Sequence, residues 1–230
     1  MRKYNFFIAL SLAITMLLSS VAKADEGMWV PMLIGKNYEQ MKKQGFKLTP
    51  EDLYSNNKAS LKDAIVSFGG FCTGEIVSNK GLIFTNHHCG YDAIAENSTP
   101  QNNILDNGFY AKTYQEEKPI DGLFVNFLVR MEDVTEKVNN AVKGLPEQEK
   151  AAKIIEIGKE IAAEATKGTH YEGFVRDFYK GNQYFLYIFE KFTDIRLVGT
   201  PPQSIGKFGG DTDNWVWPRH TGDFSVFRVY

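Results

Sequence analysis

His87 and His88 run directly into Cys89, and the only other cysteine in the chain is Cys72. A histidine accepts and releases protons near neutral pH, but it works as a general base only when held in one orientation within reach of its target. A sulfur bridge from Cys72 to Cys89 would tie the residue beside His88 to a neighbouring strand. The imidazole also needs a carboxylate to fix its tautomer and to stabilise its charged form. The C-terminal stretch offers Asp211, Asp213 and Asp223. Asp211 and Asp213 sit in a glycine-rich run, where solvation is expected. Asp223 follows the Thr221-Gly222 turn and leads into the apolar segment Phe224 to Tyr230, so its carboxylate can be buried while keeping backbone donors nearby. The plainer role for Asp223 is a turn cap.

The elements around these residues follow from local pattern. Residues 25–67 read as short helices, with Thr49-Pro50-Glu51-Asp52 and Ser60-Leu61-Lys62-Asp63 as helix entries. Glu75-Ile76-Val77 and Leu82-Ile83-Phe84 read as strands about the hairpin turn Asn79-Lys80-Gly81. Gly90 to Ile120 reads as loop, which places His87 and His88 at a loop's edge. Leu123 to Arg130 reads as a strand. Residues 146–167 form the strongest helix, with Ile154, Ile157, Ile161 and Ala165 on one packing face. Tyr171 to Lys180 and Gln183 to Val198 return to strand around a Gly181-Asn182 turn. A helical block therefore interrupts a β-rich chain.

The first residues carry an export pattern: Arg2 and Lys3, an apolar run from Phe6 to Leu18, and Ala22-Lys23-Ala24 as a small-residue cleavage site. The run is short for a bilayer span, so no stable span is expected after cleavage. Export permits a disulfide, and two cysteines supply one. A loop of this size stabilises a fold by about 3 kcal/mol in the chain-entropy model. A net charge of -2 without a basic tract argues against nucleic acid as a partner. Aromatics at 13% suit β-rich packing and argue against disorder. The final apolar segment stops without a turn or polar tail, which leads to the expectation of a truncated sequence.

Two long motifs carry a resemblance. Phe71-Cys72-Thr73-Gly74 with Thr85-Asn86-His87-His88-Cys89-Gly90-Tyr91 is the first; Phe208-Gly209-Gly210-Asp211-Thr212-Asp213-Asn214-Trp215-Val216-Trp217-Pro218-Arg219-His220-Thr221-Gly222-Asp223-Phe224 is the second. Both resemble the N-terminal region of the bacterial dipeptidyl-peptidase 7/11 family of serine exopeptidases, of the chymotrypsin clan. In trypsin-like enzymes the catalytic histidine directly precedes the cysteine, which selects His88 over His87. The resemblance implies Asp223 as its carboxylate partner. It implies Asn214 and Trp215 as the residues that hold a peptide's free amino terminus. It implies an α+β fold with a chymotrypsin-like β-barrel, an incomplete double barrel, interrupted by an inserted helical domain. The expected layout is a signal peptide at 1–24, a barrel part carrying His88 at 25–135, a helical insertion with flanking strands at 136–200, and a return to the barrel at 201–230.

That family's nucleophile lies in a Gly-Asn-Ser-Gly-Ser type of turn, and Ser67, Ser78, Ser204 and Ser225 all have other neighbours. The expected function is therefore the N-terminal part of an exported serine dipeptidyl-peptidase, in the periplasm or at the cell surface. It would carry base and acid but not nucleophile, and alone would be inactive. No cofactor or metal is expected, the partners are peptides with free amino termini, and the resemblance allows a homodimer. Two rivals are a non-catalytic module that binds peptide amino termini, and a zinc protein using His87, His88, His220 and nearby aspartates.

Overall fold

The computed structural model describes residues 30–206 and 222–230. The expected signal peptide lies outside the described residues, as do Asp211, Asp213, Asn214, Trp215 and His220. The chain enters through short helices: a 3-10 turn at Pro31–Lys36, α1 (Tyr38–Lys43) and α2 (Pro50–Leu53). Thr49 caps α2 with a complete capping box to Asp52, as the local sequence requires. Strands β1 (Ile65–Phe68), β2 (Cys72–Ile76) and β3 (Leu82–Thr85) follow. The β2–β3 turn closes with the Val77 N–H donating to Leu82 O at 2.9 Å, and Gly81 takes the positive φ of 69° that the turn requires.

Next come α3 (His87–Glu96), α4 (Ile104–Asn107), β4 (Phe109–Tyr110), β5 (Lys118–Pro119) and the nine-residue β6 (Val125–Asp133). The stretch from Gly90 to Ile120 is thus not simply loop. Helix α3 escapes pattern reading because His-His-Cys-Gly is a poor helical start, and an interior glycine costs about 1 kcal/mol against alanine. The remaining elements are α5 (Thr135–Ala141), α6 (Glu147–Thr166), β7 (Glu172–Phe178), β8 (Gln183–Phe192), β9 (Ile195–Thr200), α7 (Gln203–Gly206) and β10 (Ser225–Val229).

All these strands join one antiparallel sheet in the order β4-β9-β10-β3-β2-β1-β6-β8-β7, with β5 also on β9. This corrects the expected chymotrypsin-like barrel. A barrel requires the two ends of the path to pair. Here the ends are β4, two residues long, and β7, with no ladder between them among the described residues. Both sides of the path are extended instead of joined: β8 lies along β6 and carries the sheet on to β7, while β4 and β5 cover the edge of β9 away from β10. The fold is α+β, but its sheet is open. The helices lie against this sheet. Val138 of α5 and Ile161 and Ala162 of α6 pack onto Leu186 and Ile188 of β8, with Ile154, Ile157 and Ala165 at the margin. A second core, of Val66, Phe68, Ile83, Ile94, Leu197 and Phe227, lies under the β1–β3 and β9–β10 region and supports α3.

Candidate active site

Strand β3 ends at Thr85, and the chain turns at Asn86 straight into α3, so His87 and His88 occupy that helix's first turn. Strand β10 pairs antiparallel with β3, matching Ser225 to Thr85. That register delivers Asp223, just ahead of β10, to the helix start. Cys89 forms a disulfide with Cys72 of β2, with Cα atoms 6.1 Å apart, which ties the first turn of α3 to the sheet.

The result is a compact pairing of His88 and Asp223 across 135 positions of sequence. His88 Nδ1 lies 2.8 Å from Asp223 Oδ2, and the His88 backbone N–H donates to Oδ1 at 3.1 Å. Burial alone would raise the Asp223 carboxyl. It is nevertheless held below its ordinary value by the backbone N–H and ring of His88, by the charge on that ring, and by the backbone N–H of His87. An ionised Asp223 accepts only, so Nδ1 carries the proton and donates it. In the neutral ring, Nε2 then keeps its lone pair. The His88 side chain is 63% exposed and that of Asp223 31%. The arrangement presents an oriented proton acceptor to the outside.

His87 has a different place. It is fully buried, and its Nδ1 lies 3.1 Å from Thr200 Oγ1. The Thr200 hydroxyl donates to Pro201 O at 3.1 Å, so His87 Nδ1 is the donor to Thr200. Gly206 packs against the imidazole so closely that a β-carbon there would overlap the ring. His87 is therefore a packed ring, and His88 the one that meets a carboxylate. Cys72, His88 and Cys89 bring potential ligand atoms within 4.8 Å of one another, but both sulfurs are committed to the disulfide and offer no thiolate to zinc. Of the serines, Ser225 is buried and donates its hydroxyl to Asn86 O at 2.8 Å.

Sequence reading assigned nothing to Asn86. Its amide donates to both Asp223 Oδ2 and Asp223 O, each at 3.2 Å. The available signal was an asparagine directly ahead of the histidines, at a position that favours a helix cap.

An imidazole backed by a carboxylate and largely exposed is the arrangement a general base requires. Residues 24–230 match the model of the Peptidase S46 family, and the chain belongs to that family. It is 49% identical over 232 residues to "Dipeptidyl-peptidase 7" of Capnocytophaga gingivalis, covering 100% of this chain and 32% of that protein. It is 53% identical over 206 residues to an "Asp/Glu-specific dipeptidyl-peptidase" of the same organism, covering 89% and 29%. Among solved structures, Porphyromonas endodontalis DPP11 in complex with the dipeptide Arg-Asp superposes with a TM-score of 0.82 at 43% identity, over 90% of this chain and 31% of that one. The chain thus spans about a third of the length of the relatives it matches. Family membership carries a location outside the cytoplasm. No described helix is long and apolar enough to cross a membrane.

Proposed function

We propose that this chain supplies the general base, His88, and its carboxylate partner, Asp223, to a serine dipeptidyl-peptidase that removes dipeptides from free amino termini. The observation that carries the reading is the 2.8 Å bond between His88 Nδ1 and Asp223 Oδ2. A serine hydroxyl supplied from elsewhere in the protein attacks the scissile carbonyl while His88 Nε2 takes its proton. Asp223 stabilises the imidazolium, which then protonates the leaving amine. Water, activated by the same nitrogen, releases the dipeptide. Coverage of about a third of each relative supports a nucleophile outside this chain, as does the absence of the family's serine turn from its sequence.

Asn214 and Trp215 hold the substrate's terminal ammonium in this reading: the amide oxygen accepts from it, and the indole face attracts its charge. The named relatives suggest acidic or other side chains ahead of the cleaved bond, and the peptides themselves are the partners. The layout 1–24, 25–135, 136–200 and 201–230 is kept as the proposed division, with residues 1–24 removed on export to the periplasm or cell surface. Pairing into a homodimer is part of the same proposal.

The test is release of a chromophore from dipeptidyl substrates by the protein as its gene encodes it, and by the isolated 230-residue chain. The encoded protein should turn over and lose that activity with His88→Ala, and the isolated chain should be inert. Turnover that survives His88→Ala would sink the assignment.

A further inference from the structure

Asn86 stands at the N-cap of α3, with the extended backbone of a cap residue (φ -71°, ψ 154°), yet its side chain caps nothing. An asparagine there ordinarily accepts from the N–H groups of the first turn. In this helix Asp223 has taken that duty, since its Oδ1 accepts from the His88 N–H at 3.1 Å. The Asn86 amide is turned the other way. Both groups facing it, Asp223 Oδ2 and Asp223 O, are acceptors, so the NH2 end must point towards them, and each bond is 3.2 Å. One amide thus grips both the main chain and the side chain of the same aspartate.

The grip falls on the oxygen that matters. Asp223 Oδ2 is also the atom that receives the His88 Nδ1 proton at 2.8 Å. A carboxylate held by a single imidazole is free to turn about its own axis; one held at both oxygens and at its carbonyl is not. Asn86 is itself pinned, because its carbonyl accepts from Ser225 Oγ at 2.8 Å and from the Gly90 N–H at 3.2 Å. A β-carbon at Gly90 would come within 2.7 Å of that hydroxyl, so the helix stays close to β10 only because residue 90 is glycine.

We propose that Asn86 is a positioning residue for the proton relay, exchanging capping roles with Asp223 so that the carboxylate is locked against His88. The proposal rests on the reading of His88 and Asp223 as base and partner.

Asn86→Ser separates the two roles. Serine caps a helix as well as asparagine but is too short to grip Asp223. In the encoded protein its kcat should fall about tenfold, the rate equivalent of one charge-assisted hydrogen bond, with KM within about twofold. Thermal stability should be unchanged. In the 230-residue chain, the low-field proton resonance of His88 Nδ1 should broaden by exchange. Asn86→Asp sets a carboxylate against Asp223 and should lose more than Asn86→Ser. Unchanged kcat and an intact low-field proton in Asn86→Ser would overturn the proposal while leaving the base assignment standing. A rate loss matched by lost thermal stability would also overturn it, by reducing Asn86 to a helix-end residue. Loss of function in Asn86→Ser alongside full activity in His88→Ala and Asp223→Asn would instead overturn the reading beneath it.

Discussion

Two charged clusters sit at opposite ends of β10, and they are built on opposite terms. At its entrance Asp223 meets His88, with side chains 31% and 63% exposed. At its exit Arg228 meets Glu117, with side chains 12% and 3% exposed. Arg228 Nε donates to both Glu117 oxygens, at 2.9 and 3.1 Å, and its Nη1 donates to Lys80 O at 2.7 Å. Tyr230 OH donates to Glu117 Oε2 at 2.8 Å, and the guanidinium lies over the Tyr114 ring. In the Glu117 cluster both carboxylate oxygens are taken, and the two charged side chains are largely withdrawn from water. The His88 cluster is equally well bonded on the carboxylate side, but its imidazole stands in the open. A satisfied and withdrawn pair suits packing, whereas a pair braced on one side and open on the other suits the proposed role of His88.

The largest difference should appear when each acid is changed in turn. Asp223→Asn keeps the shape of the carboxyl but favours the wrong imidazole tautomer. It should cut kcat of the encoded protein by about 10^4-fold while leaving the melting temperature nearly unchanged. Glu117→Ala should do the reverse. It strands a buried guanidinium, and loss of one partner from such a pair costs about 3 to 5 kcal/mol, read as a shifted denaturant midpoint. If Asp223→Asn destabilises as much as Glu117→Ala does, the contrast between the two ends of β10 disappears.

The next effect concerns how an exposed corner is kept in place. Buried contacts hold Glu117 and Arg228, while the start of α3 depends partly on the Cys72–Cys89 bridge. Replacing both cysteines by serine should lower stability by about 3 kcal/mol. The His88–Asp223 bond does not pass through sulfur, so activity at temperatures where the variant stays folded should fall far less than in Asp223→Asn. A loss of activity as complete as that of His88→Ala would show that the bridge, rather than the carboxylate, orients the ring.

The same contrast explains what could be read in the sequence. Short-range features were legible: the β2–β3 hairpin with Gly81 at its turn, the capping box at Thr49, and the stripe of Ile154, Ile157, Ile161 and Ala165 on α6. The meeting of His88 with Asp223 was legible through the two motifs that carry the family resemblance. Closure of the sheet was not, because it turns on β8 lying along β6 and on β4 and β5 covering β9, and no local pattern records partners so distant in sequence. Helix α3 was hidden for a related reason. Its first turn is capped by Asp223 from across the chain rather than by its own Asn86, so the usual local signature is missing. The Glu117–Arg228 cluster, spanning 111 positions, left no sequence signal at all.

The smallest effect separates the clusters by pH. The Asp223 carboxyl titrates below its ordinary value in the folded chain, so folding favours its ionised form. The stability this adds is fully present above the unfolded carboxyl's pKa, about 3.9, and is lost as pH falls through the lower folded value. Asp223→Asn has no such group to protonate. The stability gap between wild type and Asp223→Asn should therefore narrow steadily as urea unfolding is repeated at lower pH, starting below about pH 5. Because most of the pair's surface is open to water, the gap should be modest and should shrink further in high salt. A gap independent of pH would mean that Asp223 is held by its backbone neighbours in either protonation state, and that the charge on its oxygen contributes nothing to the fold.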